Sequence, residues 1–203
     1  MQAFIQGVGI GASLIMAVGA QNTFVLKQGL TRGHSLPIAG LCSLIDALMI
    51  TAGVTGLGHL IVTFPLIKDI ASLGGGIFLL VYGAQALKSS FYSHYLTEEG
   101  IKGVETLKVA ILTTLGISLL NPHLYLDTVV LLGSISTQFE GPDRYFFGAG
   151  AVSASFIWFF SLSFGARYLR PLFQKPKAWC YLDRCIFVIM WAMAWGLIWP
   201  YLC

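Results

Sequence analysis

The chain has 203 residues, of which 56% are hydrophobic and 10% charged, against about 25% charged in an ordinary soluble domain, and its mean hydropathy is +0.77. This composition excludes a soluble enzyme and predicts a membrane protein. Twelve Lys and Arg against nine Asp and Glu leave a formal charge of +3, and these bases are too scattered among apolar runs to form the basic face that nucleic-acid binding requires.

No charge of either sign precedes Lys27, so the amino terminus lacks the basic region of a secretory signal and the first apolar stretch is expected to be retained. The apolar runs are continuous rather than alternating with period two, which predicts helices instead of barrel strands. At about 20 residues per span, six fit: roughly Phe4 to Leu26, Ser35 to Val62, Ile70 to Leu87, Val109 to Ser134, Tyr145 to Ala166 and Trp179 to Leu202. The expected fold class is therefore all-α, a polytopic membrane protein. Residues 1–203 form one transmembrane domain in contact with the lipid bilayer, with halves of about 1–90 and 105–203 and a loop of about 88–107 between them.

Lys and Arg collect on the cytoplasmic side of a membrane. The first, third and fifth loops carry ten of the twelve: Lys27, Arg32, Lys88, Lys102, Lys108, Arg167, Arg170, Lys175, Lys177 and Arg184; the opposite side has Lys68 and Arg144. Both termini are thus expected to face the periplasm. Six spans with both ends on one side divide into two halves of three, the second upside down relative to the first, which is the inverted-repeat plan of many transporters. Matching interruptions support the division. The first span is broken by Gly19-Ala20-Gln21-Asn22 and the fourth by Asn121-Pro122-His123, since proline removes a backbone N–H and glycine followed by two amides loosens a helix. Broken helices at corresponding places in two halves point to a binding site at the bilayer midplane.

Two carboxylates lie inside apolar spans, Asp46 and Asp127, where an ionisable group costs at least about 2.5–3.5 kcal/mol and is by default functional. No Lys or Arg lies deep in a span to neutralise them, so a cationic substrate or a transported proton is the expected partner. His123 stands four residues before Asp127, on the same helix face, where it can share a proton or serve as a structural hydrogen-bonder. His34, His59 and His94 fall near span ends or in loops. Cys42, Cys180, Cys185 and Cys203 show no CxxC pair and read as small hydrophobes. No metal-ligand spacing and no nucleophile motif is present, so neither a metal, a cofactor nor a catalytic residue is expected. The small-residue stripe of Ala3, Gly7 and Gly11 serves close helix packing, within one protomer or between copies in a homo-oligomer. Of Trp191, Trp195 and Trp199, recurring every four residues, the last suits an interfacial belt with Tyr201, and the deeper two are expected to pack.

The segments Gly19-Ala-Gln-Asn-Thr-Phe-Val-Leu-Lys-Gln-Gly29, Ser43-Leu-Ile-Asp46, Leu120-Asn-Pro-His-Leu-Tyr-Leu-Asp127 and Ser153-Ala-Ser-Phe-Ile-Trp-Phe159 together resemble the LysE family of amino-acid exporters, in its lysine and arginine branch, over nearly the whole chain. Family members often have Gly-Pro-Gln where this chain has Gly19-Ala20-Gln21, so its first kink rests on glycine and the amides. Exporters of neutral amino acids and of homoserine lactone keep an Asn-Pro break without the aspartate. The resemblance therefore implies export of arginine or lysine from a bacterial inner membrane, with an exporter of neutral amino acids or a cation carrier as the alternative. Driving a cation out of a negative cytoplasm costs about 2.3 kcal/mol per 100 mV, which proton antiport offsets. The expected substrate-binding set is Asp46, Asp127, Gln21, Asn22, Asn121 and His123. Asp46, Asp127 and His123 carry the proton coupling, and the breaks lie at Gly19 and Pro122.

Overall fold

A computed structural model describes residues 1–16, 19–31, 34–56, 65–91, 106–169, 171 and 176–201. In lipid only a helix or a closed barrel can pair every backbone group, and every regular element among the described residues is helical. The helices are α1 Gln2–Ile15, α2 Ala20–Leu30, α3 Ser35–Val54, α4 Pro65–Phe91, α5 Leu107–Leu119, α6 Pro122–Ser136, α7 Asp143–Leu169 and α8 Pro176–Ile198, the last followed by a 3-10 turn at Trp199–Tyr201. Within α6, Tyr125–Leu131 is wound as a π-helix.

Three helices are long and apolar enough to cross a membrane: α3, α7 and the stretch Ala178–Tyr201. Two bent pairs raise the number to five, α1 with α2 at 81° and α5 with α6 at 62°. The α4 helix, at 27 residues, exceeds the length of about 20 residues that a span needs. The first and fourth expected spans are thus each two helices meeting at the interruptions. Helix α3 of the second expected span ends at Val54, and Gly56 follows with a φ of 97°, in the left-handed region that glycine adopts without strain; the rest of that span, to Val62, lies outside the described residues. His59, His94, Arg32, Lys102, Arg170, Lys175, Leu202 and Cys203 lie outside the described residues.

The α7 helix is the hub: α1, α2 and α3 all pack on it, α3 also packs on α6, and α4 runs along α8. Small residues make these approaches. A Cβ on Gly7 would enter the Phe147 carbonyl, one on Gly11 would lie 2.8 Å from Ala151 Cα, and α7 reciprocates with Gly150 against the Phe4 carbonyl. The small-residue stripe of α1 is therefore consumed inside the protomer. On the α3–α6 seam a Cβ at Gly53 would stand 2.7 Å from the carbonyl oxygens of Thr128 and Val129. Phe24, Val25, Ile38, Cys42, Leu79, Ile117, Phe159 and Met190 fill one core between these layers, and Ile50, Val54, Leu132 and Phe147 a second.

The outward faces are apolar, with Leu44, Leu48, Ile77, Val81, Leu112, Ile157 and Val188 all exposed, as suits a surface solvated by lipid rather than water. Trp191 and Trp195 are exposed too, which corrects the expectation that they pack inside. Trp191 packs against Gly83 and donates from Nε1 to the Leu80 carbonyl at 3.2 Å, while Trp195 stacks at a tilt on Trp199, ring centroids 5.3 Å apart.

The seam makes a stability prediction of opposite signs at two glycines. Gly53→Ala forces a methyl against two carbonyls and should lower the unfolding midpoint in detergent, overpacking of this kind costing about 1–3 kcal/mol. Gly9→Ala meets nothing within 4 Å and should leave the midpoint unchanged or raise it, alanine being the better helix former.

Candidate functional site

Both interruptions are finished by the same device. Across the first, Asn22 Nδ2 donates to the carbonyl of Ile15, the last residue of α1, at 2.9 Å. Across the second, the Tyr125 hydroxyl donates to the carbonyl of Leu119, the last residue of α5, at 2.7 Å. A side chain of the following helix thus satisfies an orphaned carbonyl of the preceding one. The two helix starts differ. At Pro122 the Asn121 side chain caps α6 by accepting the His123 N–H at 3.1 Å. At Ala20 the N-cap is Gly19, extended at φ −143° and ψ 174°, with no side-chain cap. The positive end of α2 is therefore not capped by the side chain of its N-cap residue.

Gln21, in the first turn of α2, faces Asp46 and Cys42 of α3. Asp46 is 3% exposed. Its Oδ2 accepts a hydrogen bond from the Ser155 hydroxyl of α7 at 2.8 Å. Its Oδ1 and the Gln21 Nε2 are both buried, and neither completes a hydrogen bond of good geometry. One turn further along α7, Trp158 Nε1 donates to Asn22 Oδ1 at 3.1 Å. Three helices thus bring Gln21, Asn22, Cys42, Asp46, Ser155 and Trp158 into one cluster beside the first break, with Cys42, Asp46 and Ser155 buried and the other three partly so. The Gln21 amide stands toward the Asp46 Oδ1 without completing a bond of good geometry, which leaves that oxygen able to accept from a ligand donor.

The remaining expected residues form a second group at the other break. Asp127 lies half-buried in the π-helical turn, a local geometry frequent at functional sites, with the exposed His123 as the titratable group facing it and no hydrogen bond between them. Asp127 is not among the groups acting on Asp46. The structure therefore brings Gln21, Asn22 and Asp46 together, and Asn121, His123 and Asp127 together, but does not merge the six. The groups share the α3–α6 seam: Gly53, packed on Thr128, stands seven residues from Asp46, about 10 Å along the helix.

Ser155 and Trp158 were not singled out in the sequence as site residues, although an i, i+3 pair of hydrogen-bonding groups on the inner face of α7 was a usable signal. A further pair escaped it as well. Lys27 Nζ and Asp183 Oδ1 form an ion pair at 2.9 Å between α2 and α8. Asp183 lies within the sixth apolar stretch and is a third acid demanding a partner, but its base stands 156 positions away. Among the described residues no group of three or more His, Cys, Asp and Glu is placed to hold a metal ion.

The family model described as LysE type translocator matches residues 12–199. Similar proteins include the arginine exporter protein ArgO of Pectobacterium carotovorum subsp. carotovorum (strain PC1), 38% identical over 195 residues, covering 94% of each chain. The arginine exporter protein ArgO of Enterobacter sp. (strain 638) is 39% identical over 196 residues, 96% of this chain and 92% of its own, and that of Salmonella typhi 38% identical over 198 residues, with the same two shares. No solved structure matches the chain. With apolar helices enough for several crossings, a closed polar cluster beside a broken helix and this match over nearly its full length, the chain belongs to the LysE type translocator family and is a multi-pass membrane transporter, not an enzyme.

Proposed function

We propose that the chain exports basic amino acids, arginine foremost and lysine with it, across the bacterial inner membrane in exchange for protons. The observation that carries the reading is Asp46: a carboxylate 3% exposed, with one oxygen held by Ser155 and the other unsatisfied beside Gln21. The one ion pair among the described residues lies elsewhere, at Lys27 and Asp183. A buried carboxylate without a resident base takes either a proton or a visiting cation, and alternation between the two is antiport. The names of the relatives, arginine exporters, favour a guanidinium as that cation.

The packing supports two inverted halves of three spans each. Helix α2 lies on α7 as α6 lies on α3, and both breaks are bridged by a side chain reaching back to the last carbonyl before them. In this reading the termini face the periplasm, and the face with ten of the twelve bases is cytoplasmic. The mechanism follows from the charges. Open to the cytoplasm, the Asp46 carboxylate binds the cationic side chain of the cargo, while the uncapped start of α2 and the Gln21 amide meet its α-carboxylate. Opening to the periplasm, the site releases the cargo and takes a proton, which the return step carries inward. Asp127 and His123 at the second break carry the coupling in the opposite half. Ser155 is a positioning residue, fixing the Asp46 carboxyl group.

The reading is tested in proteoliposomes. Asp46→Asn should abolish counterflow of labelled arginine, and Asp127→Asn should abolish arginine-driven proton flux; coupled transport unchanged in both variants would overturn the assignment. Ser155→Ala removes a hydrogen bond to a charged group, worth about 1.5–3 kcal/mol, and should raise the half-saturating arginine concentration about tenfold or more. A half-saturation equal to that of the unaltered chain would show that Ser155 does not hold Asp46 in place for binding.

A further inference from the structure

Helices α2 and α4 enclose a cavity of about 240 Å³, away from the Asp46 cluster, lined among others by Phe24, Lys27, Thr31, Tyr82, Gln85 and Ser89. Lys27 stands six residues beyond Gln21 on α2, about 9 Å along the helix, so the cavity lies between the central cluster and the face rich in basic residues. Its chemistry is set by one ion pair. Asp183 of α8 has a side chain 7% exposed and accepts from Lys27 Nζ at 2.9 Å, while a quarter of the Lys27 side chain remains accessible at 25%. An ammonium has three donors, and the carboxylate takes one of them. Lys27 occupies the last turn of α2, where the helix dipole also favours a cation. In the same lining, Phe24 meets Tyr82 edge to face with ring centroids 6.0 Å apart, and Phe78 stacks on Tyr82 at 6.4 Å.

We infer that this cavity is an outer binding site for an α-amino acid, in which the ammonium of Lys27, held by Asp183, takes the α-carboxylate and the Phe24 and Tyr82 rings receive the side chain. The charge lining the cavity is an ammonium, with its counter-ion behind it in α8, so the complementary ligand group is a carboxylate. Thr31, Gln85 and Ser89 supply oxygen acceptors for the α-ammonium. The volume is below the roughly 300–1,000 Å³ of pockets for drug-sized ligands and suits a single amino acid. An aromatic wall takes an alkyl chain by burial and a guanidinium by cation–π attraction, so arginine satisfies every surface of the cavity. The inference rests on the export reading, for which it names the first docking point before the central carboxylate.

Equilibrium dialysis of labelled arginine against the purified full chain tests it, in an Asp46→Asn background that disables the central cluster. One saturable site should remain. Lys27→Met combined with Asp183→Asn removes both charges together, so that no carboxylate is left buried alone, and should weaken arginine binding about tenfold or more, the loss of a charge-assisted hydrogen bond. Lys27→Arg, which keeps the charge, should retain binding. Agmatine, which is arginine without its α-carboxylate, should compete about tenfold less well in the Asp46→Asn chain. Absence of saturable binding in that background, agmatine competing as well as arginine, or the doubly substituted chain binding as before would each overturn the inference. Should the doubly substituted chain fail to fold, the agmatine comparison decides alone. Failure of the export reading is separable: it shows as absent arginine counterflow in the unaltered chain and leaves the dialysis result readable.

Discussion

Backbone groups released in the middle of a membrane have no water to pair with, and everything distinctive in this molecule follows from how two helix breaks are paid for. Each break frees carbonyls at the end of one helix and N–H groups at the start of the next. At the second break the chain satisfies both sides, with the Tyr125 hydroxyl on the Leu119 carbonyl and the Asn121 side chain on the His123 N–H. At the first it satisfies the carbonyl through Asn22 and leaves the helix start at Gly19 without a side-chain cap. That difference locates the more open electrostatics beside Asp46. The hub helix α7 then holds the arrangement from one face, with Ser155 on Asp46 and Trp158 on Asn22.

Much of this was legible in the sequence because lipid imposes a simple rule. Long apolar runs become helices, and a Gly-Ala-Gln-Asn or an Asn-Pro-His inside one is a break; the bends of 81° and 62° fall at those two places. Asp46 and Asp127 stood out for the same reason, as charges in the wrong solvent. The residues that complete the site are a different matter. Ser155 reaches Asp46 across 109 positions and Trp158 reaches Asn22 across 136, and a single sequence holds no measure of such distances. The π-helical turn around Asp127 has no marker of its own: Tyr125–Leu131 reads as ordinary apolar helix. The sequence also suggested one negative pocket built from two aspartates. The structure instead places them in separate groups along α3, because the two breaks lie on different neighbours of that helix.

The acids divide by partner. Asp183 has a resident base and ties α2 to α8, and since losing Lys27 would leave the buried Asp183 carboxylate without its partner, the pair also anchors the second half of the broken first span. Asp46 has the Ser155 hydroxyl as donor and no base, and its second oxygen faces the Gln21 amide without a hydrogen bond of good geometry. The first pair ties helices together and sets the charge of the outer cavity; the second carboxylate is held ready for a visiting cation. Phe24 and Tyr82 line the Lys27 cavity, with Phe78 stacked behind on Tyr82, giving a cationic side chain aromatic faces to lean on.

The central claim is that one site carries a cationic amino acid or a proton in turn. Its most direct test is the unaltered chain in proteoliposomes loaded with a pH-sensitive dye, with arginine added on one side in the absence of any imposed gradient. Saturable proton movement opposite to the arginine is expected, and none on addition of leucine. Arginine uptake without proton movement, or an equal response to leucine, would contradict it.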